Sequence, residues 1–373
     1  MQDRLTMENF HIEPVFPPDL PEVAGFILKQ RAGETETSLD RRMGTEDTAG
    51  IERRLRWLLL DSPAARPAEP LGYCLRDRIG AIRGLNLCFP APFLVGQKKI
   101  LGLGSGSFFV DPEARTLGFY LFRKYLACPG YAFYFATTCN AASAQLWSQL
   151  GGIPVRRSQT AYRIPLRLES VIARRIASII PGKTATKIAR FGGRCAGSLL
   201  SLAVRSATEV AVSPCRDWDK LADLSRRHRP DNTIMSERSA ELLQWRFGPA
   251  SPAHSCGVYL TRDSLGNEGW FAVSDSAAQV DGKWQVCTLL DAIWPREFMN
   301  FGDFVYAVTQ TAADSAEGVL VRCRLDLDWT DGRHWILRQK LPAPRAYVVV
   351  PEGAPAITTN LLDYNDNDYV AWS

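Results

Sequence analysis

Hydrophobic and polar positions recur along the chain with two different periods, which separate candidate strands from candidate helices. Residues Phe10–Val15 alternate with a period of two, which predicts a strand. Between residues 20 and 28 the apolar positions fall at helical spacing directly after Asp19, a residue that favours the start of a helix. Residues 51–60 show the same spacing. The chain therefore begins with a predicted strand and two predicted helices.

The next hundred residues or so predict most of a sheet. Strand-like runs cover residues 72–76, 79–89 and 99–110, with Asp77-Arg78 at the first turn. A helix (115–127), a strand (131–136), a helix (141–150) and closing strands as far as residue 164 follow in the pattern. This alternation predicts an α/β (α+β) fold with a mixed central sheet flanked by helices.

A similar order returns from residue 209 onward. The pattern predicts a strand at 210–212 and helices at 217–227 and 236–247, the second capped by Ser236 and stopped by Gly248. Strands are expected at 258–261, 270–274, 284–293 and 319–323, with a helix around Phe301 and late strands near Trp335 and Tyr347. The simplest interpretation is that the chain consists of two halves with the same architecture, although the sequence identity between them is poor.

Between the two halves lies a basic segment. Residues 168–180 and 195–204 show helical spacing, and Pro181-Gly182 separates them. Residues 166–205 hold eight basic side chains and one acidic one, so the net charge of +4 comes from this stretch. We therefore predict an N-terminal domain (1–165), a basic helical linker (166–208) and a C-terminal domain (209–373). The basic face either lies in solvent or touches an anionic membrane or an acidic partner.

The amino-acid composition narrows the classes of protein to which the chain can belong. Of the 373 residues, 46% are hydrophobic and 23% charged, which is typical of a globular protein. The nine cysteines include no Cys-x-x-Cys pair and there are only four histidines, so neither a disulfide framework nor a metal is expected. No apolar run is long enough to span a bilayer and the first residues are charged, which predicts a soluble, cytoplasmic protein. The basic residues are not interleaved with aromatic ones, so no nucleic-acid partner is expected.

The most informative segment runs from Val110 to Tyr120, where a strand passes into a helix through a turn. The N-terminus of a helix offers unpaired N–H groups and the positive end of the helix dipole, a combination that suits a phosphate. Gly118 would let such an anion approach the main chain. We expect the amides of residues 115–120 to form an electropositive pocket for a diphosphate.

Here the residues resemble the acyl-CoA N-acyltransferase (GNAT) superfamily, whose cofactor loop reads V-x-P-x-x-(R/Q)-G-x-G-x-(G/A). Val110, Pro112, Arg115 and Gly118 stand in register with this loop. A second match begins at Asn140 and follows the family's N-x-x-A-x-x-L-Y-x-x-x-G helix, with Ser143 for Ala and Trp147 for Tyr. Together the two matches cover roughly residues 10–165.

The resemblance implies two GNAT-like domains, with acyl-CoA, acetyl-CoA or another, bound in the first. Pantetheine would lie beside the strand that ends at Val110, and backbone N–H groups at a bulge in that strand would polarise the thioester carbonyl. Asn140 would hydrogen-bond the cofactor near its thioester. The residues implied for the cofactor are Phe108, Phe109, Val110, Arg115, Thr116, Leu117, Gly118, Phe119, Tyr120, Asn140 and Trp147.

The implied reaction moves a short acyl group to an amine acceptor, either a small molecule or a glycan, such as a sugar or a cell-envelope precursor. Besides Asn140, Asp291 is the catalytic candidate, as general base, because its segment ends the strand equivalent to 99–110. Thr116 and Tyr120 replace small residues of the family loop, and Trp147 replaces a tyrosine that can deliver a proton. These departures favour the alternative of a non-catalytic binding or scaffolding protein.

A short element in the second half also resembles family members. Trp245-Arg246-Phe247 is similar to a "WRF" element of some tandem members linked to cell-envelope or polysaccharide modification. The alternative is a helix end that packs two aromatic rings and leaves Arg246 exposed.

Overall fold

The computed structural model describes residues 9–32, 47–155, 158–165, 210–229, 234–251, 256–274, 286–294, 301–312, 318–322, 337–340 and 343–351. The chain divides into two compact units. The first unit draws on residues 1–159, 230–253 and 342–373, and the second on residues 160–229 and 254–341. The predicted basic linker, 166–208, lies outside the described residues, as does the membrane contact proposed for it. The domain limits at 165/166 and 208/209 stay a prediction.

The described residues form the following elements. The strands are β1 (Phe10–Val15), β2 (Gly72–Asp77), β3 (Ile82–Val95), β4 (Lys98–Val110), β5 (Phe133–Ala136), β6 (Ile153–Pro154), β7 (Thr160–Pro165), β8 (Val210–Pro214), β9 (Ile234–Ser236), β10 (Cys256–Asp263), β11 (Glu268–Ser274), β12 (Val286–Ile293), β13 (Gly318–Arg322), β14 (Leu337–Lys340) and β15 (Tyr347–Val349). The helices are α1 (Leu20–Ala32), α2 (Thr48–Leu59), α3 (Gly118–Leu126), α4 (Ala141–Gln149), α5 (Trp218–Arg227), α6 (Ala240–Phe247) and α7 (Phe301–Ala312). Two short 3-10 helices, Pro17–Asp19 and Pro112–Leu117, precede α1 and α3.

The sheet of the first unit runs in the order β1-β2-β3-β4-β5-β15-β6, with β9 paired to β3. Its first four strands are antiparallel, β4 and β5 are parallel, and the strands beyond β5 are antiparallel again. A mixed central sheet flanked by helices was predicted, and this prediction is confirmed. Within the described residues no helix is long and apolar enough to cross a membrane.

The sheet of the second unit repeats this sequence of pairings. It runs β8-β10-β11-β12-β13-β7-β14, with antiparallel neighbours everywhere except the parallel pair β12·β13. In both sheets the strand next to the parallel pair comes from elsewhere in the sequence. The late strand β15 fills that place in the first sheet, and β7, which follows the first half, fills it in the second. The second half of the chain thus gives β9 and β15 to the first sheet, and the first half gives β7 to the second sheet.

Helix starts follow local capping. Asp47 accepts a hydrogen bond from the N–H of Gly50 at 2.8 Å and begins α2, and Asp217 does the same for α5 through Lys220 N–H at 3.0 Å. The prediction that Ser236 caps a helix is wrong, because Ser236 pairs with Phe93 in the sheet. Ser239 caps α6 instead.

One face of β4 is lined by glycines. A Cβ at Gly102 would overlap the ring of Phe133, and one at Gly104 would overlap the ring of Phe89. These two rings, with those of Phe93 and Phe135, pack edge to face over the strand. The glycines therefore make room for aromatic rings of the same sheet.

Candidate functional site

The strands β4 and β5 separate from each other inside the first sheet. Their parallel ladder joins Gly102, Leu103 and Gly104 to residues 133–135 and then stops. β4 continues for six more residues to Val110 and pairs there with β3 alone among the described residues. Among the described residues, the edge of β4 that faced β5 therefore has no strand partner from Ser105 onward. Ser105 and Ser107 are buried there, and Phe108, Phe109 and Val110 are half-buried. We call this gap the β4/β5 opening.

A bulge lies in β4 beside the opening. Leu85 pairs with Phe109 but Leu87 pairs with Gly106, so β4 holds one extra residue over this stretch. Ser107, within the bulge, has a φ of +50°, in the left-handed region that a serine rarely adopts. Bulges of this kind redirect backbone groups and are common beside active sites. The bulge that the family resemblance implied is present.

A tyrosine of α3 sits at the point where the two strands separate. The hydroxyl of Tyr125 donates to the carbonyl of Leu103 on β4 at 2.6 Å and accepts from the N–H of Phe135 on β5 at 3.0 Å. The side chain is fully buried. Its oxygen links main-chain groups of both strands at the end of the ladder, so it fixes where the opening begins.

The segment after β4 forms a helical turn with hydrogen bonds between its own backbone groups. Pro112–Leu117 is a 3-10 helix that leads directly into α3. The N–H of Ala114 donates to Asp111 O at 2.9 Å, and that of Gly118 donates to Arg115 O. Both amides are satisfied within the turn. Of the amides of residues 115–120 that were expected to hold an anion, that of Gly118 therefore already has an acceptor.

The side chains of the predicted loop divide into two sets. Arg115 and Thr116 are exposed, Tyr120 is 46% exposed, and Phe119 is half-buried. Leu117 is buried in a small apolar cluster with Leu75 and Ala114.

Gly118 belongs to the buried set. A Cβ there would lie 3.3 Å from Val110 Cγ2 and 3.4 Å from Phe108 Cζ. The missing side chain of Gly118 thus allows α3 to pack closely against the end of β4, and its Cβ direction points into the protein.

A charge network anchors the start of this turn. Asp111 is buried, accepts from the side chain of Gln30, and lies 3.4 Å from Arg83 Nη1. Arg83 also donates to Asp77 at 2.7 Å, and this hydrogen bond lowers the pKa of the Asp77 carboxyl. The carboxylate of Asp111 is therefore balanced by a cation before any ligand arrives.

The two candidate residues of α4 have different environments. Asn140 is exposed and caps the helix, because its Oδ1 accepts from Ser143 N–H at 2.9 Å while Ser143 Oγ accepts from Asn140 N–H. Trp147 is only 2% exposed and packs edge to face on Phe122, with ring centroids 4.7 Å apart. Its indole contributes to the core beneath α3 and α4.

Asp291, the candidate base, lies in the second unit on β12. It is 1% exposed, and its Oδ1 accepts from Ala292 N–H at 2.8 Å. The remaining candidates all lie in the first unit. The β4, loop and α4 candidates therefore belong to one unit, and Asp291 belongs to the other.

The Trp245-Arg246-Phe247 element ends α6 in the first unit. Trp245 stacks on Trp57 of α2 with ring centroids 4.2 Å apart and donates from Nε1 to the carbonyl of Trp57 at 3.2 Å. Arg246 is 5% exposed, and its guanidinium lies over the ring of Phe247. The expectation of an exposed Arg246 is wrong, because the arginine packs with its aromatic neighbour.

Comparison with known proteins identifies the fold. Neither a family model nor a curated protein sequence matches the chain significantly. Among solved structures, a GCN5-related N-acetyltransferase from Anabaena variabilis is 9% identical, with a TM-score of 0.53, over 91% of this chain and 72% of that one. The chain thus has the GNAT fold, and at such identity the likeness shows the fold alone.

Two further structures are similar over most of their length. One is Saccharomyces cerevisiae N-myristoyltransferase with bound myristoyl-CoA, 12% identical, TM-score 0.52, covering 93% of this chain and 80% of that one. The other is a conserved protein of unknown function and probable N-acyltransferase from Enterococcus faecalis, 10% identical, TM-score 0.52, covering 91% and 72%. The similarity thus extends through both halves of this chain.

Sequence reasoning missed two residues that shape this region. Tyr125 was predicted only as part of a helix, and its bond to two strands depends on tertiary packing that no local pattern reveals. Asp111 carried a usable signal, because an acidic residue that ends a strand just before Pro112 is well placed to anchor a turn.

Proposed function

We propose that this protein is an acyl-CoA-dependent N-acyltransferase that moves a short acyl group, acetyl above all, to an amine acceptor. The observation that carries the proposal is the β4/β5 opening, with its bulge at Ser107. A strand edge with free main-chain groups can hydrogen-bond the amides of a pantetheine arm, as a missing strand would. The similarity to a structure that holds myristoyl-CoA supports an acyl-CoA as the donor.

In this proposal the diphosphate of CoA lies against the exposed part of the turn, near Arg115 and Thr116. Arg115 supplies the positive charge, because two of the turn's amides already have acceptors. Phe108 and Phe109 border the pantetheine arm, and Asn140, at the start of α4, offers its side-chain amide to the cofactor.

The reaction itself is an attack by a neutral amine on the thioester. Backbone N–H groups at the bulge would stabilise the oxyanion of the tetrahedral intermediate, and its collapse would release the CoA thiolate. The amine must lose a proton, and Asp291 is the proposed base. Trp147 cannot protonate the thiolate, so the proposal assigns that proton to solvent. The proposed acceptor is a small molecule or a glycan, such as an amino sugar or a cell-envelope precursor.

A second candidate function is a non-catalytic binding or scaffolding protein. The internal hydrogen bonds of the 3-10 turn favour it, because the amides of Ala114 and Gly118 would first have to be released to hold a diphosphate. The buried Trp147 favours it as well.

Calorimetry with CoA and acetyl-CoA separates the two functions. We expect binding of both, followed by release of free thiol when acetyl-CoA is incubated with a panel of amines and amino sugars. Absence of heat up to millimolar ligand would remove the enzyme hypothesis. Binding without thiol release from any acceptor, and without hydrolysis, would favour the scaffolding protein. Asp291→Asn tests the base: turnover should fall while CoA affinity stays unchanged.

A further inference from the structure

A buried aromatic ring lies over the place where β4 leaves β5. Phe89, on β3, is 4% exposed. A Cβ at Gly104 would overlap its ring, and a Cβ at Gly106 would lie 3.3 Å from Phe89 Cε1. Gly104 is the last residue of β4 in the parallel ladder, and Gly106 lies two residues further along the strand. The ring therefore covers the main chain of β4 on both sides of the point where the β4/β5 opening begins.

The same ring also reaches β5. Phe89 and Phe135 pack edge to face with ring centroids 5.8 Å apart, and Phe135 is the β5 residue that pairs with Gly104. The ring of Phe89 thus extends from β3 across β4 to the side chain at the end of the β5 ladder. On this face of the sheet, Phe89 and Phe135 together cover the inner end of the opening.

The opposite face is covered by α3. Successive residues of a strand point to opposite faces, and Leu103, next to Gly104, packs in the core with Phe122 and Tyr125 of α3. The hydroxyl of Tyr125 bonds the carbonyl of Leu103 and the N–H of Phe135. The inner end of the opening is therefore bounded by an aromatic ring on one face and by a tyrosine on the other.

The acyl group of the proposed donor would reach this inner end. This step rests on the proposed function, in which the diphosphate lies near Arg115 and the pantetheine arm follows β4 back from Val110 to the bulge at Ser107. The acyl group lies beyond the thioester, beside Gly106 and the ring of Phe89. An acetyl group ends at the first carbon after the carbonyl, whereas a longer chain has to continue into the space that the ring occupies.

We propose that Phe89 limits the length of the acyl group that the protein accepts. A long chain would have to displace a ring that is packed against Gly104 and Phe135, and overpacking of a close-packed core is unfavourable. Acetyl and propionyl groups end in front of the ring. The donors are therefore short acyl-CoAs, in contrast to the myristoyl-CoA bound in the yeast N-myristoyltransferase of similar fold.

The test is a calorimetric titration of the full-length protein with CoA, acetyl-CoA, hexanoyl-CoA and octanoyl-CoA. In the wild type, hexanoyl-CoA and octanoyl-CoA should bind at least roughly tenfold more weakly than acetyl-CoA. Phe89→Ala removes the ring, so the affinity for hexanoyl-CoA relative to acetyl-CoA should rise by roughly tenfold. The affinity ratio within each variant is the readout, because it cancels a general change in the binding of CoA.

Phe93 provides a matched control on the same strand. It is also buried and packs edge to face on Phe133 and Phe135, but it lies beside Gly102, inside the parallel ladder. Phe93→Ala should destabilise the core to a similar extent and keep the preference for acetyl-CoA. Phe89→Leu and Phe93→Leu make the same comparison with a smaller loss of core volume, so the test does not depend on the folding of the alanine variants.

The titrations also separate this inference from the proposed function. A wild-type protein that binds neither CoA nor acetyl-CoA would remove both. Equal affinity of the wild type for acetyl-CoA and octanoyl-CoA would leave acyl-CoA binding in place and overturn the length limit alone. An equal change of the affinity ratio at positions 89 and 93, or no change at position 89, would also overturn it.

Discussion

The ends of β4 and β12 occupy the same place in two sheets with the same pairings, yet only one is open. Each strand runs on beyond a short parallel ladder, which stops at Gly104 in the first sheet and at Thr288 in the second. Each also holds an extra residue against the preceding strand. Phe108, Phe109 and Val110 are half-buried, whereas every residue from 289 to 294 is buried.

The difference shows that backbone topology alone does not make a site. Both sheets part after a parallel pair, but the end of β12 carries buried apolar side chains and the buried Asp291, while the end of β4 remains accessible. We therefore expect a ligand at the first sheet. The following predictions test that contrast, beginning with the largest effect.

Charge at the turn after β4 should decide affinity. In Arg115→Glu/Thr116→Glu, three units of charge change next to the proposed diphosphate, and CoA affinity should fall roughly 100-fold. Both side chains are exposed, so the fold should be unaffected. The matched control, Arg226→Glu/Arg227→Gln, makes the same charge change on α5 of the second unit and should leave affinity unchanged. Calorimetry measures the CoA affinity of both variants. Equal losses of affinity would contradict the expectation that the ligand binds at the first sheet.

Removal of the Tyr125 hydroxyl should have the next largest effect. Tyr125→Phe leaves the Leu103 carbonyl and the Phe135 N–H without this partner in the core, so the free energy of unfolding should fall by about 1–3 kcal/mol. CoA affinity should fall as well, because the start of the opening loosens. Tyr134→Phe is the control, since its hydroxyl bonds Cys128 O. Urea unfolding measures the stability of both variants and calorimetry measures their affinity for CoA. An equal loss of CoA affinity in Tyr134→Phe would contradict the prediction.

Variants of Asn140 distinguish its role as a helix cap from its proposed contact with CoA. Asn140→Ala should lower the free energy of unfolding by about 1 kcal/mol, because the acceptor for Ser143 N–H is lost. Asn140→Ser keeps an oxygen that can cap the helix and removes the side-chain N–H₂ without adding a charge. A several-fold loss of CoA affinity in both variants would indicate contact with the cofactor. Loss in the alanine variant alone would assign Asn140 to the cap.

The smallest effect concerns acid stability. The hydrogen bond from Arg83 lowers the pKa of Asp77, so the folded state is favoured above the ordinary pKa of this carboxyl, near 4. That contribution should disappear as pH falls through the lowered folded pKa. Urea unfolding between pH 2 and 6 should show wild type and Asp77→Asn converging at the acid end. A constant difference at every pH would mean that the aspartate does not act through its charge.

Local sequence patterns predicted which helices and strands form better than they predicted where each one begins and ends. β1, β4 and α4 lie within one or two residues of the expected positions, because alternation and capping are local properties. β3 extends to Val95, where a strand ending at residue 89 was expected, and it includes Pro90 and Pro92, although proline is uncommon inside a strand. Both prolines lie past the end of β2 and still face β4, so their missing N–H groups break no β2 ladder.

The candidate site was predictable only in part. Gly118 was singled out because an anion could approach the main chain there, and that role stays a prediction. Its place against Val110 and Phe108 depends on how α3 packs on β4, which sequence spacing does not contain. The repeat of the strand order was visible in the hydrophobic pattern. The exchange of β7 and β15 was not, because short apolar strands fit either sheet equally well and only tertiary pairing chooses between them.

That exchange bears on how the protein is made. During synthesis β5 emerges early and must wait for β15 (Tyr347–Val349) before its outer edge is covered. The nascent first sheet is therefore incomplete until residue 349 has been synthesised, and its uncovered edge is a hazard that a chaperone would relieve.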